Sequence, residues 1–181
     1  MCGIAGVIVK DGTPENSVLD RMRLSILHRG PDGSGQIIKG RVGIVHTRLA
    51  VIDLETGDQP LSNARGDQLI ANGEIYNYIE LRRQLGEANF NTRSDCESPL
   101  LLYERQGGEF AKDLRGMYAI SILDGETGEL HLCRDRFGIK PLYTYKFGSN
   151  IAFASEINAL TDSGVVKRTL DNEARDQLLQ N

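Results

Sequence analysis

A chain of 181 residues suits one domain that can bury roughly 70% of the surface it exposes when unfolded. Its 21 lysines and arginines against 25 aspartates and glutamates leave a net charge of -4 with both signs interspersed, which excludes the one-sided basic field that holds nucleic acid or an anionic membrane. No apolar run approaches the ~20 residues that cross a bilayer, and the chain starts at its first strand without a signal-type segment, so a cytoplasmic protein acting on a small molecule or another protein is expected.

Residues 2 to 9, Cys2-Gly-Ile-Ala-Gly-Val-Ile-Val9, read as a buried strand. Thr13-Pro14-Glu15 supplies a cap, a first-turn proline and an early acid, and Val18, Leu19, Met22 and Ile26 recur at helical spacing, which predicts a helix over 14–28. His28-Arg-Gly-Pro-Asp-Gly33 holds a Pro-Asp-Gly turn, a rigid loop with short strands following around 36–39 and 42–47. Residues 68–72 read as a strand, 77–84 as a helix anchored by Ile79 and Leu81, and 96–106 as a second helix. Met117 to Leu123 is a strongly apolar strand, turned by Asp124-Gly-Glu-Thr-Gly128 into a partner strand from Glu129 to Arg134. Strands at 142–146 and 151–154 and a short helix from Ser155 to Leu160 follow. Near the end Leu170, Ala174, Leu178 and Leu179 fall near helical spacing, giving an amphipathic segment whose apolar stripe needs a partner. Strands mostly joined by turns, with helices segregated between them, argue for α+β with largely antiparallel sheets.

Cys2, Cys96 and Cys133 are an odd number without metal-ligand spacing, and His28, His46 and His131 form no motif with them, so neither a disulfide framework nor a metal site is expected. Cys2 is either a small core residue at a strand end or, once the initiator is cleaved, the first residue. A free α-amine has a pKa near ~7.7 to 8.0, so it can take the proton of the thiol on its own residue, and nucleophile and base then share one residue. Asn72-Gly73-Glu74 after a strand is either a simple turn or the parts of an oxyanion hole, an amide donor beside a glycine that permits close approach. Arg48, at the mouth of an apolar run, can grip a carboxylate bidentately or form a surface ion pair. Asp95 can bind an ammonium or cap the following helix.

Together, Met1-Cys-Gly-Ile-Ala-Gly6, His28-Arg-Gly-Pro-Asp32, His46-Thr-Arg-Leu-Ala-Val-Ile-Asp53, Asn72-Gly-Glu-Ile-Tyr-Asn77, Ser94-Asp95 and Arg134-Asp-Arg-Phe-Gly-Ile-Lys-Pro-Leu-Tyr143 resemble the class II glutamine amidotransferases. The likeness is nearest to the glutaminase domain of asparagine synthetases and covers Cys2 to about Leu160. The resemblance implies an N-terminal nucleophile hydrolase fold, a four-layer αββα sandwich of two mainly antiparallel sheets, over residues 2–165. It implies that Cys2 attacks glutamine and forms a γ-glutamyl thioester that water hydrolyses, with Asn72 and Gly73 as oxyanion donors. It assigns Arg48 to the α-carboxylate, with Leu49 to Ile52 lining that wall, and Glu74 and Asp95 to the α-ammonium. Arg29 and Asp32 are candidates for closing the pocket, the three histidines receive no catalytic role, Cys96 and Cys133 read as packed thiols, and Arg134 to Tyr143 reads as architecture and a domain interface.

Asparagine synthetases also carry an ATP-binding domain with a Ser-Gly-Gly-x-Asp-Ser loop, and neither that motif nor Gly-x4-Gly-Lys-Ser/Thr occurs here. No cofactor is therefore expected in this domain. ATP and Mg belong to a missing synthetase domain or a partner subunit, to which residues 166–181 read as a lead-in. The expected partners are glutamine and that ammonia-accepting domain or subunit, with a homodimer as the other way to cover the terminal stripe. If Met1 is retained, the Cys2 amine is tied up in a peptide bond, and the chain reads as a glutamine-binding or docking module without turnover.

Overall fold

The structure, a computed structural model, describes residues 1–169 and 171–179, without the side chains of Ala174 and Leu178. In chain order the elements are β1 (Gly3–Ile8), α1 (Asn16–Ser25), β2 (Gly33–Lys39), β3 (Val42–Arg48), β4 (Leu61–Ser62), β5 (Gln68–Ile75), α2 (Tyr78–Leu85), α3 (Glu97–Gln106), β6 (Gly116–Leu123), β7 (Leu130–Arg134), β8 (Tyr143–Phe147), β9 (Asn150–Ala154), α4 (Ile157–Asp162) and α5 (Asn172–Leu179).

The strands form two sheets, ordered β2-β3-β1-β9-β8 and β4-β5-β6-β7, and every strand pairing within them is antiparallel. Both sheets are apolar on both faces, because successive side chains along a strand point to opposite sides. In the first sheet Ala5, Val7, Val45, Ala152 and Ala154 pack on Leu19, Met22 and Ile26 of the α1 region and on Ala159 and Leu160 of α4. In the second, Leu69, Ala71, Ile120 and Ile122 pack on Leu81 and Leu85 of α2 and Leu100 and Tyr103 of α3. The residues between them in register, Ile4, Val42, Ile44, Ile70, Ala119, Leu123 and Phe153, meet in a middle layer between the sheets. The result is the αββα sandwich, and each fully buried aliphatic side chain in it contributes roughly 1.5–3 kcal/mol.

Several boundaries differ from expectation. Helix α1 begins at Asn16, after an extended Glu15 that makes no side-chain cap, and it leaves helical geometry at Ile26 into a short 3-10 turn over Leu27–Arg29. Ile79 does not anchor α2: it is exposed, while Leu81 and Leu85, four apart, face the core. The short β4 and the 3-10 turns at Glu87–Asn89 and Gly107–Asp113 were not anticipated. Strand β5 runs to Ile75, so Asn72-Gly73-Glu74 lies inside it and is not a turn. Pairing with β6 continues to Ile75 opposite Gly116, and Gly73 faces Tyr118, where a Cβ would run into the Met117 carbonyl. Packing of the first sheet's helical layer extends to Val165 and Val166. The terminal stripe forms α5, with Leu179 exposed; Leu170 and the side chains of Ala174 and Leu178 lie outside the described residues.

Candidate active site

Period-2 alternation builds the site. Even-numbered positions of β1, β3 and β5 face the middle layer, and towards one end their apolar residues give way to polar ones: Ile4 to Cys2, Ile44 to His46 and Arg48, Ile70 to Asn72 and Glu74. A cleft of about 380 Å³ opens there, within the range of small-ligand sites, and Cys2, Arg48, Leu49, Ile52, Asn72, Gly73, Glu74 and Asp95 all line it.

The Cys2 thiol sits against the first residue beyond β3: the Leu49 N–H points at Sγ at 3.4 Å and Sγ lies 3.6 Å from the Leu49 carbonyl. The Cys2 carbonyl accepts from Arg29 Nε at 3.0 Å, while Arg29 Nη1 pairs with Glu156 at 2.7 Å. Partial burial works against ionisation of Glu156, yet hydrogen bonds from Arg29 and His28 hold its carboxyl below the ordinary value. Arg29 thus braces the Cys2 backbone.

Across the cleft stands the edge of β5. Strand β4 pairs with it only at Leu69 and Gln68, so beyond Leu69 the outer edge has no partner strand. The Tyr76 N–H bonds to the Arg115 carbonyl, which places even-numbered backbone groups toward β6 and odd-numbered ones on this open edge. Side chains take most of them. The Ala71 N–H donates to Gln59 Oε1 at 2.6 Å, the Ala71 carbonyl lies 3.2 Å from His46 Nε2, and the Ile75 N–H donates to Asp95 Oδ2 at 2.7 Å. The Gly73 amide shares that edge and lines the cleft. Beside it the Asn72 side chain is buried, and its Nδ2 has no hydrogen-bond partner. A buried amide donor without an acceptor is costly unless something in the cleft accepts from it.

Arg48 is buried, with Nη1 on Asp58 Oδ1 at 2.7 Å and Nη2 on the Asp53 carbonyl. Asp53 adopts a left-handed φ of 57°, and its carboxylate caps the Thr56 N–H at 2.9 Å and the Arg93 N–H at 2.9 Å. The guanidinium is therefore held on the cleft wall with a carboxylate already on it. Burial pushes the Asp95 carboxyl up from its ordinary value, against several hydrogen bonds that favour the charge.

A family model described as the glutamine amidotransferase domain matches residues 1–181. The chain belongs to the glutamine amidotransferase family. Its relatives include asparagine synthetase [glutamine-hydrolyzing] 2 of Bacillus subtilis, 42% identical over 166 residues that make up 88% of this chain and 22% of that protein. Asparagine synthetase B of Escherichia coli is 41% identical over 88% of this chain and 30% of its own length. The amidotransferase domain thus spans between a fifth and a third of these curated relatives. Among solved structures, the glutamine phosphoribosylpyrophosphate amidotransferase from B. subtilis matches with a TM-score of 0.73 at 25% identity, over 90% of this chain and 44% of that one. The fold is that of the N-terminal nucleophile hydrolase amidotransferases.

Some expectations about the amidotransferase cleft need correction. Arg29 and Asp32 do not line it: Arg29 braces Cys2, and Asp32 Oδ2 accepts from the Ala50 N–H at 2.9 Å. The Asp95 side chain bonds the β5 edge, and Cys96 occupies the N-cap position of α3 without a side-chain cap. Cys96 also lines the cleft, but burial, then the charges of Asp95 and Cys2, push its thiol well above the ordinary value, so it stays protonated. Cys133 lies outside the cleft lining. Gln59, Met117 and Lys140 line the cleft without having been singled out for it, and Lys140 Nζ lies 3.2 Å from Met1 Sδ. The Gly-Ile-Lys-Pro stretch read as architecture therefore also closes one side of the site. For Gln59, in a loop without periodicity, no local signal existed.

Proposed function

We propose that this domain hydrolyses glutamine to glutamate and ammonia through a γ-glutamyl thioester on Cys2. The observation that carries the reading is the unpartnered Nδ2 of Asn72 beside the Gly73 amide, in one cleft with the Cys2 thiol. An unpartnered side-chain donor beside a backbone amide on the open strand edge is suited to an oxyanion that exists only during reaction. Family membership and the asparagine synthetase relatives support the substrate.

The steps follow from the groups present. With Met1 removed, the neutral α-amine of Cys2 takes the thiol proton and Sγ bonds to the side-chain carbonyl carbon of glutamine. The oxyanion is held by Asn72 Nδ2 and the Gly73 N–H. As it collapses, the ammonium returns its proton to the leaving nitrogen, the C–N bond breaks and ammonia departs. Water, deprotonated by the same amine, then attacks the thioester, the C–S bond breaks, and glutamate and the thiol are released. Arg48 holds the α-carboxylate and Asp95 and Glu74 the α-ammonium. The ammonia passes to an ATP-dependent, amide-forming domain or subunit of asparagine synthetase type, where ATP and Mg are bound; this domain itself uses no cofactor. Three free cysteines fit a reducing, cytoplasmic setting.

The test combines intact mass with a glutaminase assay. The active protein is expected to have lost the mass of Met1, to release glutamate, to react with a diazo-ketone analogue of glutamine at Cys2, and to lose turnover in Cys2→Ala. Turnover surviving in Cys2→Ala sinks the proposal. Glutamine binding without turnover in protein that keeps Met1 selects a binding or docking module instead.

A further inference from the structure

We infer that Gln59 and His46 are positioning residues that hold the oxyanion donors in place by clamping the Ala71 peptide groups at the open edge of β5; the inference rests on the glutaminase reading of the cleft. Where β4 ends, β5 loses the partner strand that would hold its outer edge. Both backbone groups of Ala71, the residue before Asn72, are instead held by side chains, the N–H by Gln59 Oε1 at 2.6 Å and the carbonyl by His46 Nε2 at 3.2 Å. Two residues beyond Gly73, the Ile75 N–H is held by Asp95 at 2.7 Å. The segment carrying both oxyanion donors is thus fixed on either side while the donors stay open.

The clamp has chemistry suited to this task. His46 has no solvent exposure, and its burial, with a minor contribution from the Arg48 charge, lowers its pKa to about 4, so it is neutral. A neutral ring has one proton, and the Ala71 carbonyl requires it on Nε2. The remaining nitrogen, Nδ1, is buried without a partner. That arrangement gives up one hydrogen bond of the ring to keep the other aimed at β5. Gln59 is equally committed: the Ala71 N–H needs an acceptor, which fixes the orientation of the Gln59 amide, and the Gln59 backbone packs so closely on β2 that a Cβ at Gly35 would meet Pro60 Cδ at 2.7 Å and the Gln59 carbonyl carbon at 2.9 Å. His46 belongs to the sheet that carries Cys2, and Gln59 lies in the loop between β3 and β4 with its backbone against β2 of that same sheet; both grip the strand that carries Asn72. They therefore set the separation between nucleophile and oxyanion donors, a quantity for which an error of ~1 Å costs on the order of 100-fold in rate.

The experiment uses the protein with Met1 removed and reads kcat and KM for glutamine in Gln59→Met, which keeps length but removes the acceptor. Alongside it stand His46→Asn, which cannot reach with an amide nitrogen, and His46→Gln, which can. Expected are a fall in kcat of about tenfold or more with KM within about twofold for Gln59→Met and His46→Asn, substantial recovery in His46→Gln, and a further loss of less than about threefold when Gln59→Met is added to Asn72→Ala. A Gln59→Met protein with kcat within about twofold of the native value overturns the inference. So does a loss that recurs in full on the Asn72→Ala background, or a rise in KM at unchanged kcat. If Gln59→Met fails to fold, the His46 pair decides alone, and equal losses in His46→Asn and His46→Gln overturn the clamp. Failure of the glutaminase reading would appear separately, as a native protein that releases no glutamate. The clamp is then read by amide exchange at Ala71, slow in the native chain and at least about tenfold faster in Gln59→Met; equal exchange overturns it.

Discussion

Arg48 already carries one carboxylate, that of Asp58, whose own side chain is 81% exposed and free to leave. Under the proposed function this pair stands where the α-carboxylate of glutamine binds, so Asp58 competes with substrate while Arg48 binds it. Arg48→Ala is expected to raise KM for glutamine with a smaller change in kcat, since it contacts a part that does not react. Asp58→Ala is expected to lower KM by a few-fold, because binding no longer displaces an internal partner. Asn72→Ala is expected to lower kcat by ~10² or more, since its donor matters most when the oxyanion forms. Steady-state kinetics on the three variants checks all of this; kcat within a factor of about two in Asn72→Ala removes the oxyanion role. At this scale the sequence was most informative. Cys2, Arg48, Asn72 and Asp95 each carry a chemistry that their side chains announce, and all four line one cleft. Gln59 and His46 act through hydrogen bonds to backbone, which leave no chemical signature in a sequence.

The β6–β7 hairpin illustrates the element scale. Asp124 closes it: its Oδ1 accepts from the Glu126 and Thr127 N–H groups at 2.9 and 2.6 Å, and its Oδ2 from the Tyr103 hydroxyl at 2.8 Å. The Thr127 backbone bond leads the groups that, against the cost of burial, hold the Asp124 carboxyl well below its ordinary value of 3.8. A depressed carboxyl contributes stability that is fully present above its unfolded pKa and is lost as pH falls through the folded one. Asp124→Ala is therefore expected to destabilise the fold at pH 7 by about 2 kcal/mol, because it orphans the buried Tyr103 hydroxyl and removes two turn hydrogen bonds. The gap to the native protein should narrow once pH drops below about 4. Denaturant unfolding at several pH values measures it. The hairpin was readable because its turn residues are local, and Asp-Gly-Glu-Thr-Gly between two alternating apolar runs admits few other shapes. The end of β5 was not, since Asn72-Gly73 has turn chemistry and it is the eight-residue match with β6, with side chains on the other edge, that holds it extended.

For the whole molecule, the residues to which the proposed function assigns ammonia release lie between Cys2 and Asp95 and line one cleft. Neither a Ser-Gly-Gly-x-Asp-Ser loop nor a Gly-x4-Gly-Lys-Ser/Thr loop occurs in the 181 residues. This chain with glutamine, Mg-ATP and aspartate is expected to yield glutamate and ammonia but no asparagine; asparagine formed by it alone would reveal a second active site. The family motifs, the alternation of the strands, the apolar faces of the helices and the candidacy of Cys2 as nucleophile were legible in the sequence alone, because each depends on residues a few positions apart or on a side chain's own chemistry. Only tertiary structure decided that β1, β3 and β5 end together at one cleft, that Asp58 occupies Arg48, and that β4 stops short so that β5 keeps an open edge at Ala71 and Gly73. Those features arise from contacts across 10 to 47 residues of chain, such as Arg48 with Asp58, His46 with Ala71 and Cys2 with Leu49. Such contacts are selected by strand pairing, loop placement and the packing of one sheet on the other, and local periodicity carries no record of them.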